Sequence, residues 1–194
     1  MGKYDLLALF ARAAVDPGEQ TGDSQQHNRL RADAYRLTHD LDPTRPVNDA
    51  SGYVHVKTDL WTVHSYQQDP AILQEMLTPD DQGRVFRNFP EQEADYQGQP
   101  YIIDEFGGIK WIPTRELVYA DNSWGYGQDP TTLEEFYQRL EGLVDAVLSV
   151  DHICGFCYTQ LTDIEQEQNG VYNYDRTAKF DMERIARAFK KPRP

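Results

Sequence analysis

Apolar positions along this chain fall into two alternating rhythms, one recurring every three or four residues and the other running in short unbroken stretches. Leu30, Ala34, Leu37 and Leu41 recur at helical spacing from about Ser24, and Asp42-Pro43 ends the run; this predicts a helix with one buried face. Asp69 to Leu77 reads as a second, short helix. Leu133, Phe136, Tyr137, Leu140, Val144, Val147 and Leu148 make one long stripe behind a predicted start at Asp129-Pro130. Met182, Ile185, Ala186 and Phe189 make a last helical face after Asp181, with Lys190 and Lys191 near its end, where cations suit the helix dipole. The stretch Met1 to Gly22 has an apolar run, Leu6 to Ala11, without a clear period. It fits a strand or a short helix equally, and Asp16-Pro17-Gly18 then forces a turn before Glu19.

Between these helices lie the unbroken apolar stretches. Val47 is a very short step, whereas Leu60 to Val63, Tyr101 to Ile103 and Ile153 to Tyr158 carry the β-branched and aromatic residues of buried strands. Each stretch runs into polar groups: Asn48 and Asp49, then His64 and Tyr66, then Asp104 and Glu105, then Gln160 and Asp163. Strands alternating with helices predict an α/β fold with parallel strands, and polar strand ends that converge on one face are where such folds bind substrate. Side chains alternate along a strand, so Asp104 and Glu105 are expected to point opposite ways, with one of them at most facing a given cavity. Thr78 to Gln99 and Trp111 to Asp129 read as long surface connections, the second carrying Trp124 and Tyr126.

Composition narrows the chemistry. The chain has 194 residues, with 32 acidic against 19 basic side chains and a net charge of -13. That balance argues against nucleic acid and anionic membranes as partners and suits a neutral or cationic ligand. No apolar run approaches a membrane span and the first ten residues lack a signal-peptide pattern, so a cytoplasmic location is expected. Cys154 and Cys157 sit on a predicted strand rather than at a helix start, which favours a packing role over redox chemistry. The five histidines show no paired spacing, so neither a structural metal nor a cofactor is expected. No Gly-x-Ser-x-Gly elbow occurs, and Ser65 and His64 are neighbours on opposite sides of a strand. Carboxylate chemistry is what remains.

Four ordered motifs carry a family resemblance. Arg45-Pro46-Val47-Asn48-Asp49-Ala50-Ser51-Gly52, Val63-His64-Ser65-Tyr66, Ile102-Ile103-Asp104-Glu105-Phe106-Gly107-Gly108 and Thr159-Gln160-Leu161-Thr162-Asp163-Ile164-Glu165, with Glu167, Asn169 and Gly170, resemble the C-terminal half of the catalytic barrel of glycoside hydrolase family 2. The resemblance covers about residues 27 to 189 and implies a partial (β/α)8 TIM barrel of about the last four or five βα units, over 24–194. Residues 1–23 form a poorly matching N-terminal segment. It implies a retaining β-glycosidase-like activity on a carbohydrate substrate, with Glu105 as nucleophile and His64 as a substrate contact. Asn48, Asp49, Trp124 and Tyr158 are implied, less specifically, as subsite lining. The family's acid/base is a Glu after Asn just ahead of the helix that here begins near Ser24. Glu19 lies near that place but follows Pro17-Gly18, so it is either a displaced remnant of that residue or a turn carboxylate.

A complete eight-stranded barrel takes ~250 residues, more than the chain has. Four or five strands leave a sheet edge and an inner face exposed, so association is expected, as a homo-oligomer or with a missing barrel half, and activity alone should be low or absent. The alternative is a non-catalytic carbohydrate-binding or scaffold remnant of such an enzyme.

Overall fold

The computed structural model describes residues 24–112 and 122–192. Among the described residues it has four helices, α1 (Ser24–Leu41), α2 (Pro70–Leu77), α3 (Leu133–Leu148) and α4 (Met182–Phe189). Three strands, β1 (Trp61–Ser65), β2 (Tyr101–Gly107) and β3 (Ile153–Thr159), pair in parallel in the order β1-β2-β3. Helices between parallel strands give the α/β class predicted from the apolar rhythm. The sheet buries Trp61, Val63, Tyr101, Ile103, Phe106 and Ile153 against the stripe of α3, whose Phe136, Leu140, Leu143, Val144 and Val147 are all inaccessible to solvent. Central β2 has a paired strand on each side and carries its side chains to the strand ends.

Helix starts follow side-chain capping chemistry. Asp69 accepts from the backbone N–H of Ala71 at 2.8 Å and of Ile72 at 3.3 Å, with Pro70 in the first helical position. Asp181 does the same for α4. The predicted start of α3 at Asp129-Pro130 is corrected: Thr132 is the cap, accepting from Glu135 N at 3.1 Å, while Glu135 reaches back to Thr131 N at 2.8 Å. Asp129 pairs instead with Lys110, Oδ2 to Nζ 2.9 Å.

Two expectations fail in instructive ways. Helix α1 docks through its polar side: Arg31 is buried, and Tyr35 and His39 both reach Asp59 at 2.7 Å, whose Oδ2 also accepts from Val47 N at 2.8 Å. Leu30, Leu37 and Leu41, predicted to form its buried face, are exposed. The helical period is present, but which face is covered depends on what packs there. Secondly, Val47 to Ala50 forms no strand. That segment runs along the outer edge of β1, where Thr62 Oγ1 donates to Ala50 O at 3.0 Å and accepts from Gly52 N at 2.9 Å.

The outward backbone groups of β1 at Thr62 and His64 are closed by two side chains. Asn88 accepts from His64 N at 3.0 Å and donates to His64 O at 2.9 Å, as a neighbouring strand would. Nε2 of His55 faces both Thr62 N at 3.1 Å and Thr62 O at 2.9 Å. Side chains from loops thus blunt an edge that would otherwise template pairing.

Candidate active site

The site grows from a fault in the β1–β2 ladder. Val63 pairs with Ile103, but His64 pairs with Glu105, so β2 carries one extra residue, Asp104, at this point, and the β2–β3 register also slips between Ile103 and Phe106. A bulge of this kind breaks strict alternation and re-aims side chains. As a result Asp104 and Glu105 approach the same imidazole, which overturns the expectation that they face apart. Nε2 of His64 is 3.2 Å from Asp104 Oδ1, and its Nδ1 is 3.3 Å from Glu105 Oε2.

Around this trio stand hydroxyl donors. Tyr66 donates to Glu105 Oε2 at 2.6 Å, and Ser51 donates to Asp104 Oδ2 at 2.7 Å while lying 3.2 Å from His64 Nε2. Burial, then the Glu105 carboxylate, pushes the Tyr66 phenol far above its ordinary range, so it stays a proton donor across all working pH. The carboxyls of Asp104 and Glu105 are partly screened, 18% and 27% exposed, and open enough for a ligand to reach.

Glycines let rings close over this site. Gly52 has φ +60°, and a Cβ there would fall 2.0 Å from His64 Cδ2, so the imidazole lies against bare backbone. Gly108, at φ +65°, leaves room for Tyr126, whose Cδ2 would be 2.4 Å from any added Cβ. Tyr126 in turn stacks on Tyr66 with centroids 3.4 Å apart, and Trp124 meets Tyr126 edge-on at 5.8 Å. Trp124 is 45% exposed, so an aromatic series runs from solvent to the hydroxyl that holds Glu105. Beside it, burial and then the charges of Asp104 and Glu105 push the Cys157 thiol up, away from the reactive thiolate. Cys154 and Cys157 are both exposed and unbridged rather than packed inside as expected.

The predicted site residues sort clearly by place. Glu105 and His64 touch, and Trp124 stands at the rim. Tyr158 packs edge-on against Phe106 and Phe189 beneath Gly107, where it supports the floor. Asn48 is half-buried beside Thr62, to which its Nδ2 donates at 3.3 Å. Asp49 is buried and accepts from His55 Nδ1 at 2.7 Å, Val56 N at 2.6 Å and Lys57 N at 2.9 Å, so it holds a loop. Glu19 lies outside the described residues. Sequence reasoning placed Tyr66 and Asp104 among the polar strand ends and Tyr126 on a nearby loop without giving them a role, and it did not single out Ser51. Tyr66 had a signal, since residues two apart on a strand share a side with each other, whereas Ser51 is recognisable only once the loop is folded. Among the described residues no group of three His, Cys, Asp or Glu side chains is arranged to hold a metal, and no helix is long and apolar enough to cross a membrane.

Against known proteins the backbone is informative where the sequence is not. No family model and no curated protein matches the chain. Solved structures do match. The GH2 β-galacturonidase of Eisenbergiella tayi bound to galacturonate is 17% identical with a TM-score of 0.58, over 88% of this chain and 31% of that one. A β-glucuronidase of an uncultured Clostridium is 14% identical with a TM-score of 0.57, over 88% and 31%. Bacteroides uniformis β-glucuronidase 2, covalently bound to cyclophellitol-6-carboxylate aziridine, is 16% identical with a TM-score of 0.55, over 88% and 21%. The fold is therefore glycosidase-like, and the chain spans about a third or less of the neighbours' length.

Proposed function

We propose that the chain is a retaining β-glycosidase-like catalytic fragment, built as the C-terminal part of a (β/α)8 barrel, that acts on O-glycosidic bonds with Glu105 as nucleophile. The observation that carries this reading is the Glu105 carboxylate at the end of the central strand, with Tyr66 donating to Oε2 at 2.6 Å and His64 beside the same oxygen. Both groups orient one carboxylate oxygen and offset its charge, which prepares the other face of the group for in-line attack.

In this mechanism Glu105 attacks the anomeric carbon and the leaving oxygen takes a proton from a second carboxyl. Water then cleaves the glycosyl ester, and stereochemistry is retained through two inversions. A retaining pair stands ~5–5.5 Å apart. Glu19 is the candidate for the second carboxyl, and Asp104 is unsuited to it because both its oxygens already face Ser51 and His64. Trp124 and Tyr126 offer ring faces for a sugar, and Asn48 lines the flank of β1. Asp49 and Tyr158 act from behind, as loop anchor and floor. The exposed leucines of α1 support association with a further copy or with the remainder of a barrel, and without that completion turnover is low.

A mechanism-based fluoro-glycoside or a cyclophellitol aziridine tests the reading, with the glycone varied among uronic and neutral sugars. Intact-mass analysis should show one adduct, mapped to the Glu105 peptide and lost in Glu105→Gln; an adduct that survives that substitution would overturn the assignment. The exposed Trp124 favours a second reading, a carbohydrate-binding remnant. It predicts heat of sugar binding that disappears in Trp124→Ala, with an activated aryl glycoside cleaved no faster than in buffer.

A further inference from the structure

One buried ion pair has no part in the chemistry above. Lys179 Nζ stands 2.6 Å from Asp163 Oδ1, with the two side chains 0% and 2% exposed. Burial pulls the Lys179 amine down and pushes the Asp163 carboxyl up, in each case ahead of the attraction between them. Such a pair is a poor way to gain stability, since two apolar side chains of similar size would pack there without the cost of leaving water. What it supplies instead is direction. An ammonium has three N–H groups, and three acceptors face this one: Asp163 Oδ1, then Gln168 O and Gly170 O, both at 3.3 Å. The same Asp163 oxygen accepts from Gly170 N at 2.8 Å.

The clamp joins the core to the rim of the site. On the core side Phe180, next in the chain to Lys179, stacks on Phe136 of α3 with centroids 4.1 Å apart, and Asp181 caps α4. On the rim side the clamped segment carries Trp124, which lies outside every helix and strand. Trp124 N donates to Gln166 O at 2.8 Å and Gln168 N donates to Trp124 O at 3.1 Å, so both backbone groups of Trp124 go to this segment. Tyr126 is held elsewhere, its N donating to Gly108 O at 2.9 Å just past the end of β2. The edge-on meeting of the two rings at 5.8 Å therefore depends on two separate supports. We propose that Lys179 is a positioning residue: paired with Asp163, it clamps 163–170 and through that segment holds the Trp124 ring edge-on to Tyr126, where a glycoside stacks. The inference rests on the reading of Trp124 as a sugar-facing ring.

In protein labelled with fluorotryptophan, the 19F signal of Trp124, assigned by Trp124→Phe, reads the place of that ring without any sugar. Lys179→Met keeps the length of the side chain and removes its donors. Because it strands Asp163, the double variant Lys179→Met with Asp163→Asn is made beside it, in which an amide oxygen still accepts from Gly170 N. In the folded double variant the Trp124 signal should shift or broaden while that of Trp61, buried in β1, stays put. Lys191→Met, which removes the exposed pair with Asp145 at 2.7 Å, should move neither. With the cyclophellitol aziridine that labels Glu105 fastest, the half-saturating concentration should rise about tenfold in the double variant while the maximal labelling rate holds. An unmoved Trp124 signal, a fall in maximal rate at an unchanged half-saturating concentration, or a double variant that does not fold would each overturn the proposal. If the wild type takes no label, the nucleophile assignment alone has failed, and the tenfold loss is read as calorimetric affinity for the parent glycosides. Affinity undiminished in Trp124→Ala would overturn the proposal through its premise, whereas an unmoved ring signal overturns the clamp with that premise intact.

Discussion

Two histidine–carboxylate assemblies hang on the same short strand, and they differ in almost everything except their chemistry. His55 and Asp49 are closed off, each side chain about 1% exposed, and every contact they make is structural: Asp49 ties down two backbone N–H groups, and His55 caps the outer edge of β1 at Thr62. His64, one turn of the pleat further on, faces two carboxylates that solvent can reach. The first assembly has all its bonding capacity taken up by the fold. In the second, both carboxylates stand against one imidazole and Asp104 Oδ1 is buried without a hydrogen bond.

Substitutions should break this symmetry in opposite directions. The largest stability loss is expected from Asp49→Ala, about 3–5 kcal/mol by denaturant titration, because a buried imidazole and two backbone donors lose their acceptor together. Gly52→Ala comes next, about 2–3 kcal/mol, combining a left-handed backbone with a Cβ driven into the His64 ring. Its second consequence, slower labelling of Glu105, would tie the glycine to the site as well as to the fold. Tyr66→Phe should leave stability within about 1 kcal/mol and slow Glu105 labelling by roughly 10–100-fold, the loss of one charge-assisted hydrogen bond. An outcome with the two magnitudes exchanged would mean that Tyr66 belongs to the scaffold.

A smaller effect is a pH dependence. Burial disfavours protonated His55, but the hydrogen bond and charge of Asp49 outweigh it and hold its pKa above the usual ~6.5. The folded state therefore binds this proton more tightly than the unfolded chain. Its contribution is complete below about pH 6.5 and fades as pH rises through the folded value. The stability gap between wild type and His55→Gln should shrink on going from mildly acidic to alkaline solution, and a gap that widens would contradict the assignment. Smallest of all, Tyr35→Phe should cost about 0.5–1.5 kcal/mol by removing the 2.7 Å bond to Asp59 that helps dock α1.

How much of this was legible beforehand varied with the range of the interaction. Helices α3 and α4 are visible in the spacing of their apolar residues, and α2 as a short helical stretch from Asp69, because burial of one stripe and a local cap suffice to define them. Helix α1 shared the same period, yet its leucines face outward: docking is through Arg31, Tyr35 and His39, and the partner of that polar side, Asp59, is far along the chain. Val47 reads as a very short strand step, but it lies beside a β1 edge whose hydrogen bonds go to His55 and Asn88. Glu105 could be named from the sequence, since a strand ending in acid and paired glycines is a local pattern.

The linear pattern by itself determined the α/β class, the parallel strands and the delivery of Glu105 to a strand end, all of which follow from periodicity and strand direction over a few residues. Tertiary structure alone decided that Asp104 turns toward His64, as Glu105 does, that Ser51 and Gly52 enclose His64, and that Asp49 anchors a loop. The physical reason is the bulge. A single extra residue between Ile103 and Glu105 exists only relative to β1, and alternation along one strand carries no trace of a register that two strands set together.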